Sequence, residues 1–148
     1  MGGQTLNPYG RRIFETGGSS SGSAVAVAAN YAVAALGSET SGSILSPSSQ
    51  NATVGLKPTI GLVSRTGIVP ISSTLDTSGP MTKCIADNAI LLDAIAATDI
   101  QDTITKFVPR FRYLMDNYVE PSTSGVRLGA MSNICLLYTS PSPRDPIG

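Results

Sequence analysis

Ser19 and Ser43 stand where a sequence most readily builds a nucleophile. Ser19 lies in the run Thr16-Gly17-Gly18-Ser19-Ser20-Ser21-Gly22-Ser23-Ala24, and Ser43 closes a second small-residue turn, Ser38-Glu39-Thr40-Ser41-Gly42-Ser43. A serine on such a turn can expose its hydroxyl, and successive backbone amides there can hold an oxyanion. A neutral alcohol is a weak nucleophile, so it needs a partner that takes its proton. The sequence contains no histidine, which excludes Ser-His-Asp triads, Cys-His pairs and His-ligated zinc together. Activation must then come from a lysine, or from a second hydroxyl relaying to one. Cys84 and Cys135 are the only cysteines, too few for a zinc site and unlike a secreted disulfide framework. Neither a metal nor a cofactor is expected.

The blander readings are weighed on the same residues. A Gly/Ser loop taken alone reads as a linker or turn. A phosphate-cradling loop before a helix is the next alternative, since such amides bind anions. The Walker pattern ends in Gly-Lys followed by Ser or Thr, whereas Gly22 here precedes Ser23 and Ala24. An anion-binding module therefore rests on the glycines alone.

At 148 residues the chain has the length of a single domain. Lys+Arg and Asp+Glu balance at 10 each, which leaves no electrostatic footprint for nucleic acid or an anionic membrane. Charged residues are 14% and hydrophobic ones 41%, the composition of a chain that folds rather than a disordered one. The longest apolar run, Ala24 to Leu36, is broken by Asn30 and Tyr31 and falls short of the roughly 20 residues a bilayer requires. The first residues hold no apolar stretch of the signal-peptide kind. No membrane or nucleic-acid partner and a cytoplasmic location are expected, with oligomeric state left open.

The elements that must position the serines follow from the pattern around them. Ala24–Asn30 is expected as a helix with Ser21 or Ser23 as its cap, because alanine is the best helix former; the alternating valines also suit a buried strand. A short buried strand, Ala34–Gly37, should lead into the second turn. Pro47 and Pro58 punctuate the next section, and Gly61–Pro70 reads as two strands around a Thr66-Gly67 turn. Residues 82–97 give the clearest helix, with Thr82 as N-cap and Ile85, Ala89, Leu92 and Ala96 on one face, widened by Leu91 and Ile95. Phe107, Phe111, Tyr113 and Tyr118 recur at helix-like intervals, and a further strand begins near Gly125. Strands mixed with helices predict an α/β layer fold.

From Gly17 to Ile95 the sequence resembles the amidase signature family, serine hydrolases with a Ser–cis-Ser–Lys triad. The resemblance is carried by Gly17–Ala24, Leu36–Ile44, Val54-Gly55-Leu56-Lys57-Pro58-Thr59, Gly61-Leu62-Val63-Ser64-Arg65, Leu75-Asp76 and Gly79-Pro80-Met81, all in register. It implies the family's α/β/α fold, a central mixed sheet covered by helices, of which this chain holds part. It also implies Ser43 as nucleophile, Ser19 as the cis-serine after Gly18, and Ser20 as a supporting hydroxyl. The backbone amides of Thr40, Ser41, Gly42 and Ser43 match the oxyanion hole, and a small-molecule or peptide amide is the implied substrate. The two serine hydroxyls should face one another near hydrogen-bond distance.

The departures from the family pattern are informative. Glu39 replaces an aspartate and keeps the charge, Ser41 replaces a glycine, and Leu45 replaces an arginine. Leu45 favours a general amidase over a protein resembling the amidase component of a tRNA-dependent amidotransferase; a non-catalytic member of the fold is the other alternative. No lysine precedes Ser19, and Lys57 matches a structural motif, so the family's catalytic lysine is expected outside this sequence. Cys135 to Asp145 (CLLYTSPSPRD) reads as the translation of a transposon-type sequencing adapter. Residues 1–134 are therefore expected to form a partial amidase signature domain and 135–148 an adapter-like, disordered tail. Taken alone, the segment is expected to be inactive.

Overall fold

The computed structural model describes residues 3–108. The expected helical interval through Phe111, Tyr113 and Tyr118, the strand from Gly125 and the tail from Cys135 lie outside the described residues. In chain order the elements are helix α1 (Ser21–Ala28), strand β1 (Ala34–Glu39), helix α2 (Leu45–Gln50), strand β2 (Val54–Gly55), strand β3 (Thr77–Thr82) and helix α3 (Ile85–Ile95), followed by a 3-10 turn, Thr103–Lys106. The strands form a 3-stranded sheet in the order β1-β3-β2. Both described pairings are antiparallel, with Ala34 opposite Thr82, Glu39 opposite Thr77, and Val54 sharing Thr82 from the other side. α1 and α3 pack on this sheet, giving the expected α/β layering. Among the described residues no helix is long and apolar enough to cross a membrane.

The helix reading of the Ala/Val run is the one the chain adopts. Ala24, Val27 and Ala28 are buried, the i, i+3, i+4 spacing of one helix face, which strand alternation cannot produce. The cap differs from expectation. Ser20 occupies the N-cap position and makes no side-chain cap bond, while the Ser23 hydroxyl leaves the helix to donate to the Leu36 carbonyl at 2.7 Å. Ala24, Ile44 and Met81 bring α1, the second serine turn and β3 into one buried cluster, each with no exposed surface.

Two other expectations are corrected. Gly61–Pro70 forms turns rather than paired strands. Its backbone hydrogen bonds run to side chains and to itself: Arg65 N donates to Asp102 Oδ2 at 3.0 Å, Thr66 N to Ser64 Oγ at 3.0 Å, and Ile68 N back to Arg65 O at 3.0 Å. The last bond closes the turn at Thr66-Gly67, so the turn is as expected and only the ladder is missing. A short helix, α2, also stands where only punctuation by Pro47 was read. Proline is tolerated in a first helical turn, where its missing N–H costs no intrahelical bond.

α3 begins two residues later than expected, because Thr82 is still in the sheet and Cys84 takes the N-cap position. Ile85 is consequently 77% exposed, and the buried stripe centres on Asn88 and Leu92. Leu92 packs with Leu62 and Val63, with Ile95 and Ala96 against them. Asn88 Nδ2 donates to Val54 O at 3.0 Å, Pro80 O at 3.2 Å and Thr82 Oγ1 at 3.2 Å, tying α3 to β2 and β3. A buried acceptor left without its donor costs about 1–3 kcal/mol. Asn88→Leu should therefore destabilise the protein by about that amount, despite adding apolar volume, as read from the midpoint of chemical denaturation.

Candidate active site

The second serine turn is held at both ends by carboxylates. Glu39 ends β1 and is buried, and its Oε2 accepts from Ile44 N at 2.6 Å and Leu45 N at 2.9 Å. A carboxylate at those amides satisfies donors that a helix start otherwise leaves open. At the other end Thr40 Oγ1 donates to Asp76 Oδ1 at 2.5 Å, and Asp76 Oδ2 accepts from Ile71 N at 2.8 Å and Ser72 N at 2.9 Å. The Thr40 hydroxyl, then the Ile71 amide, hold the Asp76 carboxyl below its usual range.

Between these anchors the amides of Thr40, Ser41, Gly42 and Ser43 donate to no acceptor among the described residues. The left-handed step of the turn falls on Gly42, at φ +81°, and not on Ser41. Ser41 thus occupies a conformation that a side chain tolerates. Consecutive uncommitted amides on a carboxylate-anchored turn are suited to receiving negative charge on a ligand.

The first serine loop docks directly on the second. Ser20 N donates to Ser43 O at 3.1 Å. The Ser20 hydroxyl both donates to Ser38 O and accepts from Ser38 N, each at 3.2 Å. Among the described residues β1 is an edge strand, and Leu36 and Ser38 offer their groups on the side away from β3, where Ser23 and Ser20 take them up. Gly17, at φ +63°, lies so close to α2 that a Cβ there would stand 2.7 Å from Ser46 Oγ and 2.8 Å from Pro47 N. The peptide between Gly18 and Ser19 is cis.

Ser19 and Ser43 therefore meet in one small cleft of about 20 Å³, lined also by Ser38, Glu39, Thr40, Ile68, Val69, Ile71, Asp76 and Thr77. No hydrogen bond joins the two hydroxyls in this structure. Of the expected amide-bearing residues, Thr40 and Ser43 line the cleft, whereas Ser41 and Gly42 lie on the turn between them. Ser20 and Gly18 stand outside the lining; Ser20 acts by docking the loops. Lys57 is also outside it, and the lining holds no lysine. Sequence reasoning missed the anchoring roles of Glu39 and Asp76, although both lie inside the quoted motifs. It also missed the Ile68–Ile71 wall, whose strand reading hid its place beside the serines.

A larger cavity of about 260 Å³ adjoins the cleft, sharing Ile68 and Asp76 with it and lined further by Arg65, Ser73, Gln101 and Asp102. Arg65 anchors its wall, with Nε donating to Asp102 Oδ2 at 2.8 Å and Nη2 to Oδ1 at 2.7 Å. A third guanidinium bond reaches the Ser73 carbonyl.

A serine pair brought to one cleft across two Gly/Ser loops, beside an uncommitted amide arc on an α/β layer, is a candidate site for hydroxyl-based chemistry. The chain belongs to the Amidase family, whose profile matches residues 1–145. It is similar to the peptide amidase of Stenotrophomonas maltophilia, at 57% identity and a TM-score of 0.72 over 76% of this chain and 23% of that one. A protein of Arabidopsis thaliana named "Probable amidase" is 50% identical over 73% of this chain and 21% of its own length. The A component of the glutamyl-tRNA(Gln) amidotransferase of Levilactobacillus brevis is 48% identical over 76% of this chain and 23% of its own. The chain thus spans about a quarter of the length of these relatives.

The Arg65–Asp102 pair yields a pH prediction. The Arg65 hydrogen bonds hold the Asp102 carboxyl at about 2, below its ordinary 3.8. A depressed carboxyl contributes stability that is complete above its unfolded pKa and is lost as pH falls through the folded one. The wild type should therefore lose stability between pH 3.8 and about 2, and Asp102→Asn should lose less over that window. Denaturant titrations followed by circular dichroism at stepped pH check this.

Proposed function

We propose that the full-length protein carrying this segment hydrolyses a carboxylic amide to an acid and ammonia or an amine, through an acyl-enzyme on Ser43. The observation that carries this reading is the run of uncommitted amides from Thr40 to Ser43 beside a cleft that Ser43 shares with Ser19. Ser43 Oγ attacks the amide carbon as its proton passes to Ser19, and the Ser19 proton passes to a neutral lysine supplied by another part of the full-length chain. The carbonyl oxygen becomes an oxyanion held by the Thr40–Ser43 amides. The tetrahedral adduct collapses with cleavage of the C–N bond, and the proton returns through Ser19 to the departing nitrogen. Water, deprotonated by the same relay, then attacks the ester carbon and frees Ser43. Glu39 and Asp76 both line the cleft, but Glu39 Oε2 and both Asp76 oxygens are engaged in holding the turn and the wall, which favours the hydroxyl pair as the proton path.

A second reading, a component that releases ammonia for a partner enzyme, draws support from the 48% identity to an amidotransferase component. Leu45, where the family pattern often has arginine, favours the free hydrolase. Purified full-length protein should release ammonia or amine from simple amides with no partner present. Ser43→Ala should reduce kcat by roughly 10⁴-fold or more, and Ser19→Ala should also reduce kcat strongly. Normal turnover in Ser43→Ala would exclude the acyl-enzyme; ammonia release that requires an added partner would favour the amidotransferase reading.

A further inference from the structure

Asp76 joins three parts of the site that are far apart in the chain. Glu39 opposite Thr77 is the last pair of the β1–β3 ladder, so Thr40 leaving β1 and Asp76 entering β3 meet one step beyond it. There the backbone ladder ends and a side-chain bond takes over, from Thr40 Oγ1 to Asp76 Oδ1 at 2.5 Å. The other carboxylate oxygen collects the amides of Ile71 and Ser72 at 2.8 and 2.9 Å. Ile71 lines the serine cleft, and Asp76 itself lines both that cleft and the adjoining cavity of about 260 Å³. Asp76 is only 6% exposed. With three donors converging on two oxygens, this carboxylate holds geometry and has no free role as a proton acceptor.

We infer that Asp76 is a positioning residue for reaction at Ser43: through Thr40 Oγ1 it orients the first amide of the Thr40–Ser43 arc, and through Ile71 and Ser72 it fixes the facing wall of the cleft. The inference rests on the amide-hydrolase reading above. Glu39 fixes the far end of the same arc at Ile44 and Leu45, so the arc is defined only while both anchors hold. Donors aimed at a developing oxyanion act in the transition state more than in the ground state. Release of the Thr40 end should therefore appear in kcat rather than in KM.

The test uses the full-length enzyme and four variants: Thr40→Val, Thr40→Ser, Asp76→Asn and the Thr40→Val/Asp76→Asn double. Thr40→Val keeps the shape of the side chain and removes the donor. Asp76→Asn keeps the volume but places an amide donor against existing donors. Each single variant should lower kcat by roughly 10–100-fold with KM moved less than about threefold. The double should lose little more than Asp76→Asn alone, because the Thr40 contact is already broken in that variant. Thr40→Ser, which keeps the hydroxyl, should recover most of the loss seen in Thr40→Val. A folded Thr40→Val with wild-type kcat, a loss confined to KM, or fully additive losses would overturn the inference. If Asp76→Asn does not fold, the Thr40→Val and Thr40→Ser pair decides the matter. Ser43→Ala in parallel separates the two claims: if it is inactive while Thr40→Val is normal, the positioning role alone fails, and if it is active, the hydrolase reading fails.

Discussion

The turn from Thr40 to Ile44 is held open by two carboxylates, and the candidate site depends on that restraint. Amides on a turn that leads into a helix have no carbonyl of that helix to bond. Glu39 takes the amides of Ile44 and Leu45, and Asp76 takes the Thr40 hydroxyl. What lies between cannot close on itself, so the amides of Thr40 to Ser43 stay uncommitted among the described residues. Both carboxylates flank the β1–β3 ladder, at Glu39 and just before Thr77. The sheet therefore sets their separation, and through them it sets the turn.

The serine-rich composition divides into distinct tasks on this frame. Ser20 and Ser23 satisfy the outer edge of β1 with hydroxyls where a neighbouring strand would otherwise be needed. Ser20 also bonds through its backbone to Ser43, so one residue fixes the first loop to both ends of the second. Ser19, the neighbour of this clamp, is left facing the cleft with Ser43. The glycines serve approach: Gly17 lets the first loop press against Ser46 and Pro47, and Gly37 lets Ser20 Oγ and Met81 crowd β1, where a Cβ would stand 2.9 and 2.7 Å from them.

Much of this was legible in the sequence, and the failures have physical causes. The Ala/Val helix, the strand before the second turn and the α/β class were readable from spacing and small-residue turns, and the meeting of the serine loops from the family resemblance. The Gly61–Pro70 strands were misread because short apolar segments around a Thr-Gly turn form strands only when they pair; here Ser64 and Asp102 take the backbone amides instead. The start of α3 was misplaced because Thr82 suits both a cap and a strand, and the ladder with Ala34 decided it. Glu39 and Asp76 were read for charge and motif membership, since their partners Ile44, Leu45, Ile71 and Ser72 become neighbours only once the turns are formed. Their role is tertiary, and no periodicity carries it.

The central claim is that this frame makes Ser43 the nucleophile. The most direct measurement is covalent: treat the full-length protein with a serine-directed fluorophosphonate and locate the adduct by peptide mass spectrometry. The account predicts a single stoichiometric adduct on Ser43, lost when Ser19 is replaced by alanine because the hydroxyl then has no relay for its proton. An adduct on Ser19 or on any other residue, with Ser43 unmodified, would contradict it.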